Sequence, residues 1–75
     1  MYTLQFYESG TFSTNLGGPV YTLAIALEQM DRFTRGVGAE PLKDIVGCQW
    51  LRNGTTPCWV IIVNDMGVPI KVKEV

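Results

Sequence analysis

An Asn-Gly pair at positions 53 and 54 separates two strand-like stretches, DIVGCQWLR (residues 44–52) and PCWVIIV (residues 57–63). Both residue types adopt positive φ angles with little strain, which makes this pair the strongest short-range signal for a β-hairpin. The second stretch is apolar on both of its faces, as strands in the interior of a sheet are. We therefore expect an antiparallel hairpin whose second strand lies inside the sheet.

The loop length of this hairpin decides which face of the sheet carries each of the two tryptophans. A two-residue loop puts Trp50 and Trp59 on opposite faces. A four-residue loop puts them directly opposite one another, as a cross-strand aromatic pair. Core and sheet packing is the favoured interpretation for both side chains. The alternative is that one of them anchors a protein partner, since tryptophan is enriched at binding hot spots.

Cys48 and Cys58 lie on opposite faces of the sheet for either of those loop lengths. Only a loop of three or five residues, or a bulge, would bring them onto one face. Their spacing is not the Cys-x-x-Cys of redox enzymes, and two thiolates do not complete a tetrahedral metal site. We expect free, mostly buried thiols.

Histidine is absent from the chain. Its absence excludes Ser-His-Asp and Cys-His nucleophilic catalysis and removes the usual imidazole ligands of catalytic zinc. The carboxylates are dispersed, and TNLGGPV (residues 14–20) matches neither of the glycine-rich phosphate-binding patterns. We predict no enzymatic activity, no catalytic residues, no metal site and no cofactor. A small ligand-binding protein or a thiol-dependent enzyme is the less favoured alternative.

Three further stretches are candidates for the sheet. YTLQFY (residues 2–7) alternates with period two, which is typical of a half-buried strand. TFST (Thr11–Thr14) follows a turn and could return as a second strand, a point that the sequence leaves open. VPIKVKEV (residues 68–75) carries a proline and alternating lysines, which predict an edge strand. The connector GVGAEPLKD (residues 36–44) could hold one helical turn starting at Pro41.

One helix is predicted for GGPVYTLAIALEQMDRFTRG (residues 17–36). Gly18 and Pro19 fit its N-cap and first helical position. Gly36 fits the left-handed position after the last turn, where Val37 could add an apolar contact. On a 3.6-residue wheel the apolar residues form one stripe, made of Val20, Leu23, Ala26, Leu27, Met30 and Phe33. A helix of about four to five turns should therefore pack this stripe on the sheet.

These elements predict an α+β fold for a single domain of residues 1–75. The fold has an antiparallel β-sheet of four to five strands with one α-helix packed on a face, in the order β(β)-α-β-β-β. Hydrophobic residues make up 47% of the chain and charged residues only 17%. This composition is typical of an ordered protein and argues against intrinsic disorder.

Tyr21 and Ile25 point away from the core stripe of the predicted helix, beside Glu28 and Arg32. The acid and the base form an i,i+4 pair of favourable orientation, worth roughly a few tenths of a kcal/mol. An aromatic and a β-branched residue on a solvent-facing side suggest a contact surface. The candidate partner-binding residues are Tyr21, Ile25, Glu28, Arg32, Trp50 and Trp59.

Charge and hydropathy disfavour two other classes of partner. Seven acidic against six basic residues give a net charge of −1 without a basic block, so nucleic-acid binding is disfavoured. The first residues lack the positive start and long apolar run of a secretory signal, and the longest apolar run, CWVIIV, is too short to cross a bilayer. We expect a soluble, cytoplasmic protein that does not bind membranes.

In overall character, this chain is similar to the small soluble proteins that phages and mobile elements encode to block host machinery, including anti-CRISPR proteins. The resemblance covers the whole chain and rests on a small, slightly acidic α+β sequence without catalytic motifs. It implies a non-enzymatic inhibitor that binds a host defence complex in the host cytoplasm and acts by steric occlusion. A structural or regulatory accessory protein that self-associates, for example as a homodimer, is the alternative.

Overall fold

The structure, a computed structural model, describes residues 1–74. Five strands and one α-helix follow each other along the chain as β1 (Tyr2–Glu8), β2 (Thr11–Val20), α1 (Leu23–Thr34), β3 (Glu40–Pro41), β4 (Gly47–Arg52) and β5 (Thr56–Val63), and a short 3-10 helix spans Val72–Glu74. The strands form one antiparallel sheet in the order β2-β1-β5-β4-β3. The α-helix packs on one face of it, so the predicted α+β fold is confirmed.

The core lies between α1 and the face of the sheet that α1 covers. In β1 the period-two pattern has the expected effect, because Leu4 is fully buried while Tyr2 and Phe6 pack beside it. β5 lies between β1 and β4, as its two apolar faces predict. The buried residues of this core are Leu4, Ala26, Val46, Cys48, Val60, Ile62 and Ile70.

β2 is longer than the four residues that the sequence suggested, and it changes where the helix begins. Gly18 and Pro19 belong to β2, so the prediction that they cap and start the helix is wrong. The register between β1 and β2 shifts around this stretch, and Gly17 has a φ angle of 74°. β2 pairs with β1 on both sides of this stretch, at Leu16 and at Val20, and these pairings hold the chain between them in the sheet. Val20 is accordingly a strand residue and no part of a helical stripe.

The helix begins at Leu23, with Thr22 as its N-cap. The Thr22 hydroxyl oxygen accepts a hydrogen bond from the Ile25 amide at 3.1 Å. A glycine at the N-cap has no such side-chain acceptor, which explains why the helix starts at the threonine. The element therefore has 12 residues and is shorter than the predicted four to five turns.

At its other end the helix stops at Thr34, and a turn follows. Gly36 has a φ angle of 85°, as predicted for a left-handed position, and the Val37 amide donates to the Thr34 carbonyl at 3.4 Å. Of the predicted core stripe, Leu23, Ala26, Leu27 and Met30 pack on the sheet. Phe33 is wrongly predicted, since it is 48% exposed beside Gly17, which has no side chain to cover it.

The predicted final edge strand forms only isolated bridges. Pro69 pairs with Val63, and Lys71 pairs with Ile45. The chain then enters the 3-10 helix, and Val75, the last residue of the predicted strand, lies outside the described residues. The edge strand beside β4 is instead the two-residue β3.

β3 also corrects the expectation of a helical turn starting at Pro41, because this residue pairs with Cys48 of β4. Within residues 1–74, no helix has the length and apolar character needed to cross a bilayer.

Candidate functional site

The β4–β5 hairpin has a loop of three residues, a length between the two that the sequence favoured. Arg52 pairs with Thr56, which leaves residues 53–55 in the loop. Asn53 and Gly54 have φ angles of 53° and 75°, and the Thr55 amide donates to the Arg52 carbonyl at 3.1 Å. The hairpin itself is confirmed. Its register puts the two tryptophans on opposite faces of the sheet.

Trp50 lies on the face that α1 covers. Its indole stacks against the ring of Phe6, with centroids 6.0 Å apart and an angle of 21° between the planes. Both side chains are half-buried and pack against the core. This position favours a packing role for Trp50 over a role as a partner anchor.

Trp59 lies on the opposite face of the sheet, which we call the open face. Its indole stacks on the ring of Tyr7 at 5.6 Å and 8°, and Tyr7 in turn meets Phe12 edge to face at 5.7 Å and 76°. These are the two arrangements that aromatic pairs prefer. The Tyr7 hydroxyl donates to the side-chain oxygen of Gln5 at 3.1 Å, which fixes the central ring.

These three aromatic residues belong to a line of directly paired residues that crosses all five strands. From β2 to β3, the residues of this transverse row are Phe12, Tyr7, Trp59, Gln49 and Glu40. Directly paired residues in an antiparallel sheet carry their side chains on the same face. The row therefore changes along its length from aromatic to amide to carboxylate.

Much of the transverse row faces solvent. Phe12 is 48% exposed, Gln49 and Glu40 are exposed, and Tyr7 and Trp59 are half-buried because they cover one another. Leu51, which follows Gln49 on the same face, is 59% exposed. Apolar surface that runs continuously over several strands is typical of a contact site.

The helix-side candidates are all exposed, as the wheel predicted, but they do not all belong to the helix. Tyr21 precedes the N-cap, so it is no part of the helix, and it is 81% exposed. Ile25 lies in the first turn and is 43% exposed. Glu28 and Arg32 form the predicted i,i+4 ion pair at 2.7 Å, and both are exposed. An ion pair of this kind contributes little to stability.

The two cysteines are free and buried, as predicted, but the reasoning from opposite faces is wrong. Cys48 pairs with Val60 and Cys58 with Trp50, so both thiols lie on the helix-covered face. They are diagonal neighbours, which lie about 7–8 Å apart in an antiparallel sheet, with Cβ atoms somewhat closer. A disulfide needs a Cβ–Cβ separation of about 4 Å.

Burial raises the pKa of the Cys48 thiol, and a hydrogen bond with Thr34 offsets part of that effect. A raised pKa keeps the thiol protonated at neutral pH, which disfavours it as a nucleophile. Among the described residues, no group of three or more His, Cys, Asp or Glu side chains is placed to hold a metal ion.

An ion pair closes the hairpin end of the sheet on the helix-covered face. Arg52 of β4 donates to the carboxylate of Glu8 in β1 at 2.5 Å, across the intervening strand β5. This hydrogen bond, more than the charge alone, holds the pKa of Glu8 below its ordinary value. The pair joins two strands that are not neighbours.

Sequence reasoning found Trp59 but missed the rest of the transverse row. Tyr7 occupies a position that alternates with Leu4 and Phe6, so an aromatic residue on the polar side of β1 was a usable signal. For Phe12 the sequence holds no such signal, because its register depends on an irregularity between β1 and β2.

Comparisons of this chain with family models, with curated proteins and with solved structures find no match.

Proposed function

We propose that this chain is a non-enzymatic protein-binding domain and that the open face is its binding surface. The observation that carries the proposal is the stack of Phe12, Tyr7 and Trp59 across three strands. Aromatic side chains dominate binding hot spots because they bury much apolar area with few rotatable bonds. A face of this kind, away from the helix, is available to a partner.

The stack is also held in place before any partner arrives. Tyr7 lies between two other rings, and its hydroxyl is hydrogen-bonded to Gln5. Binding therefore immobilises few additional side chains, which reduces the entropic cost of association. The three aromatic residues lie on paired strands, a more rigid support than a loop.

Steric occlusion is the form of this function that we propose, in line with the similarity to anti-CRISPR proteins. The molecule measures 33 × 21 × 21 Å. One face of that size is comparable with the roughly 800 Å² that each partner contributes to a standard interface. A domain that binds through one such face would cover a single site on a larger host defence complex and block it.

The test compares two phenylalanines that are equally exposed. Phe12 on the open face and Phe33 on the helix are both 48% exposed. The chain and its Phe12→Asp and Phe33→Asp variants are immobilised, and proteins captured from a lysate of the source cells are identified. We expect Phe12→Asp to lose the captured partner and Phe33→Asp to keep it.

A variant with Tyr21→Asp and Ile25→Asp tests the helix side in the same experiment. If this double variant loses the partner while Phe12→Asp retains it, the open face is not the binding surface. If all variants lose the partner, the substitutions act through unfolding. Circular dichroism of each variant shows whether it is folded.

Self-association is the second candidate function, and the edge strand β2 supports it. β2 has ten residues, none of them charged, and residues 11–15 are all exposed at the border of the sheet. Natural edge strands usually carry charges that prevent pairing with another chain. Antiparallel pairing of two β2 strands would give a two-fold symmetric dimer. Sedimentation of the chain and of a Ser13→Lys variant tests this, since lysine on the edge should dissociate such a dimer.

A further inference from the structure

A cleft lies at the β3 end of the transverse row, beside the indole of Trp59. It has a volume of about 420 Å³ and opens to solvent. Strands β3, β4 and β5 and the loop after α1 contribute the residues that matter here: Val37, Glu40, Gln49, Leu51, Pro57 and Trp59. The cleft thus joins apolar walls to an amide and a carboxylate.

We propose that this cleft binds an arginine side chain of the partner protein. The proposal rests on the proposed function, because it places the arginine in the interface that the open face makes. It names the chemistry of the contact at one end of that face.

The indole of Trp59 supplies an aromatic surface for the guanidinium group. Trp59 pairs with Tyr7 on one side and with Gln49 on the other. One face of the indole is used in the nearly parallel stack on Tyr7, and Trp59 also lines the cleft together with Gln49. Tryptophan is the best aromatic partner for a cation, and guanidinium stacks flat on such a ring.

The charge of the cleft is complementary to a cation. Glu40 is the charged residue among those that line it. Its side chain is exposed, and within residues 1–74 it takes part in no ion pair. Gln49 pairs with Glu40 and adds an amide oxygen as a further acceptor.

Arginine matches this set of groups better than lysine does. A guanidinium group is planar and carries five N–H donors, so it can stack on the indole while it donates to both a carboxylate and an amide oxygen. An ammonium group is a compact and strongly hydrated point charge. The apolar walls at Val37, Leu51 and Pro57 suit the three methylene groups of an arginine stem.

The experiment is an NMR titration of the chain with N-acetyl-arginine amide. The control ligand is N-acetyl-citrulline amide, which has nearly the same shape but no charge. We expect saturable shifts of the Trp59 indole N–H and of the Glu40 and Gln49 amides, with an affinity on the order of millimolar. The citrulline ligand should not produce them, and added salt should weaken the binding of the arginine ligand.

Two matched variants test whether the Glu40 carboxylate contributes to binding of the arginine ligand. Both Glu40 and Glu28 are exposed, and Glu28 lies on the helix, away from the open face. Glu40→Gln should weaken binding of the arginine ligand about threefold, the effect of one exposed ion pair. Glu28→Gln should leave it unchanged.

Equal shifts with both ligands, no saturable shift, or unchanged binding in Glu40→Gln would each overturn the arginine site. This result is separable from the fate of the proposed function. If the arginine ligand fails to bind but Phe12→Asp still loses the captured partner, only the arginine site is wrong. If the arginine ligand fails to bind and Phe12→Asp also keeps the partner, the proposed function is wrong as well.

Discussion

Replacing Gly47 by alanine is expected to destabilise the fold strongly, because this position has no room for a methyl group. Gly47 begins β4, is buried, and pairs with Ile61 of β5. A Cβ atom at this position would lie 2.4 Å from the carbonyl oxygen of Val60, 3.0 Å from Cδ1 of Leu42 and 3.1 Å from Cγ2 of Ile61. The closest of these atoms belongs to the backbone of a central strand, which cannot rotate away as a side chain can.

The expected loss follows from how far β4 and β5 must separate. Ordinary van der Waals contact begins at 3.4 Å, so an approach of 2.4 Å requires a shift of about 1 Å. Overpacking of a core typically costs about 1–3 kcal/mol. The shift also strains hydrogen bonds between two paired strands. We therefore expect Gly47→Ala to lower the free energy of unfolding by about 3 kcal/mol, the upper end of that range. A core of this size rarely supplies more than roughly 3–5 kcal/mol in total.

Urea denaturation followed by tryptophan fluorescence measures this loss, and Gly18→Ala is the matched control. A Cβ atom at Gly18 would meet no atom within 4 Å, and Gly18 does not need a positive φ angle. We expect Gly18→Ala to change the free energy of unfolding by less than about 0.5 kcal/mol. A loss below about 1 kcal/mol for Gly47→Ala, or one no larger than the control's, would refute the close approach of β4 and β5.

The helix start, the ion pair across β5 and the two thiols give three further predictions. Thr22→Ala should lower the free energy of unfolding by about 1 kcal/mol, because it removes the N-cap acceptor; an unchanged urea midpoint would contradict the assigned start. Because Arg52 lowers the pKa of Glu8, the stability that this pair adds should be present above the ordinary pKa of 4.5 and be lost as the pH falls through the lowered value. An NMR titration checks this, and a Glu8 pKa at or above 4.5 would contradict it. Both buried thiols should react slowly with a thiol reagent in the native protein and rapidly in urea, and fast native reaction of either would contradict their burial.

The sequence predicts the elements that depend on local signals. Asn53 and Gly54 mark the hairpin, and β1 and the middle of α1 follow from the period of their apolar residues. The ends of α1 were harder to predict. Gly18 and Pro19 satisfy a local rule for a helix start, but pairing between β1 and β2 uses that stretch as a strand. That pairing is a long-range interaction, which no window of sequence contains.

The candidate site depends on registers more than on residue types. The transverse row requires four strand pairings at once, and one of them, between β1 and β2, contains a register shift. The three-residue loop at Asn53 fixes another, and a change of one residue would move Trp59 to the other face. Sequence reasoning could therefore name Trp59 as a candidate but could not join it to Phe12 or Glu40.

A single helix can cover only one face of a five-stranded sheet, so the composition of the open face distinguishes packing from function. Toward one end of that face, Ile61 is buried, with Leu42 close to it across Gly47. Farther along, Trp59 is covered only in part by Tyr7, and Phe12 and Leu51 stay about half exposed.

The stack of Tyr7 and Trp59 contributes to the stability of the fold whether or not a partner binds. Substitutions of these two residues therefore affect folding and binding together. Phe12 contacts the stack at one edge only, and a polar residue at its exposed position would serve the fold almost as well. An aromatic residue at that position is expected if the open face binds a partner, as proposed. This difference is the reason that Phe12, and neither of the two tryptophans, is the residue whose substitution separates binding from stability.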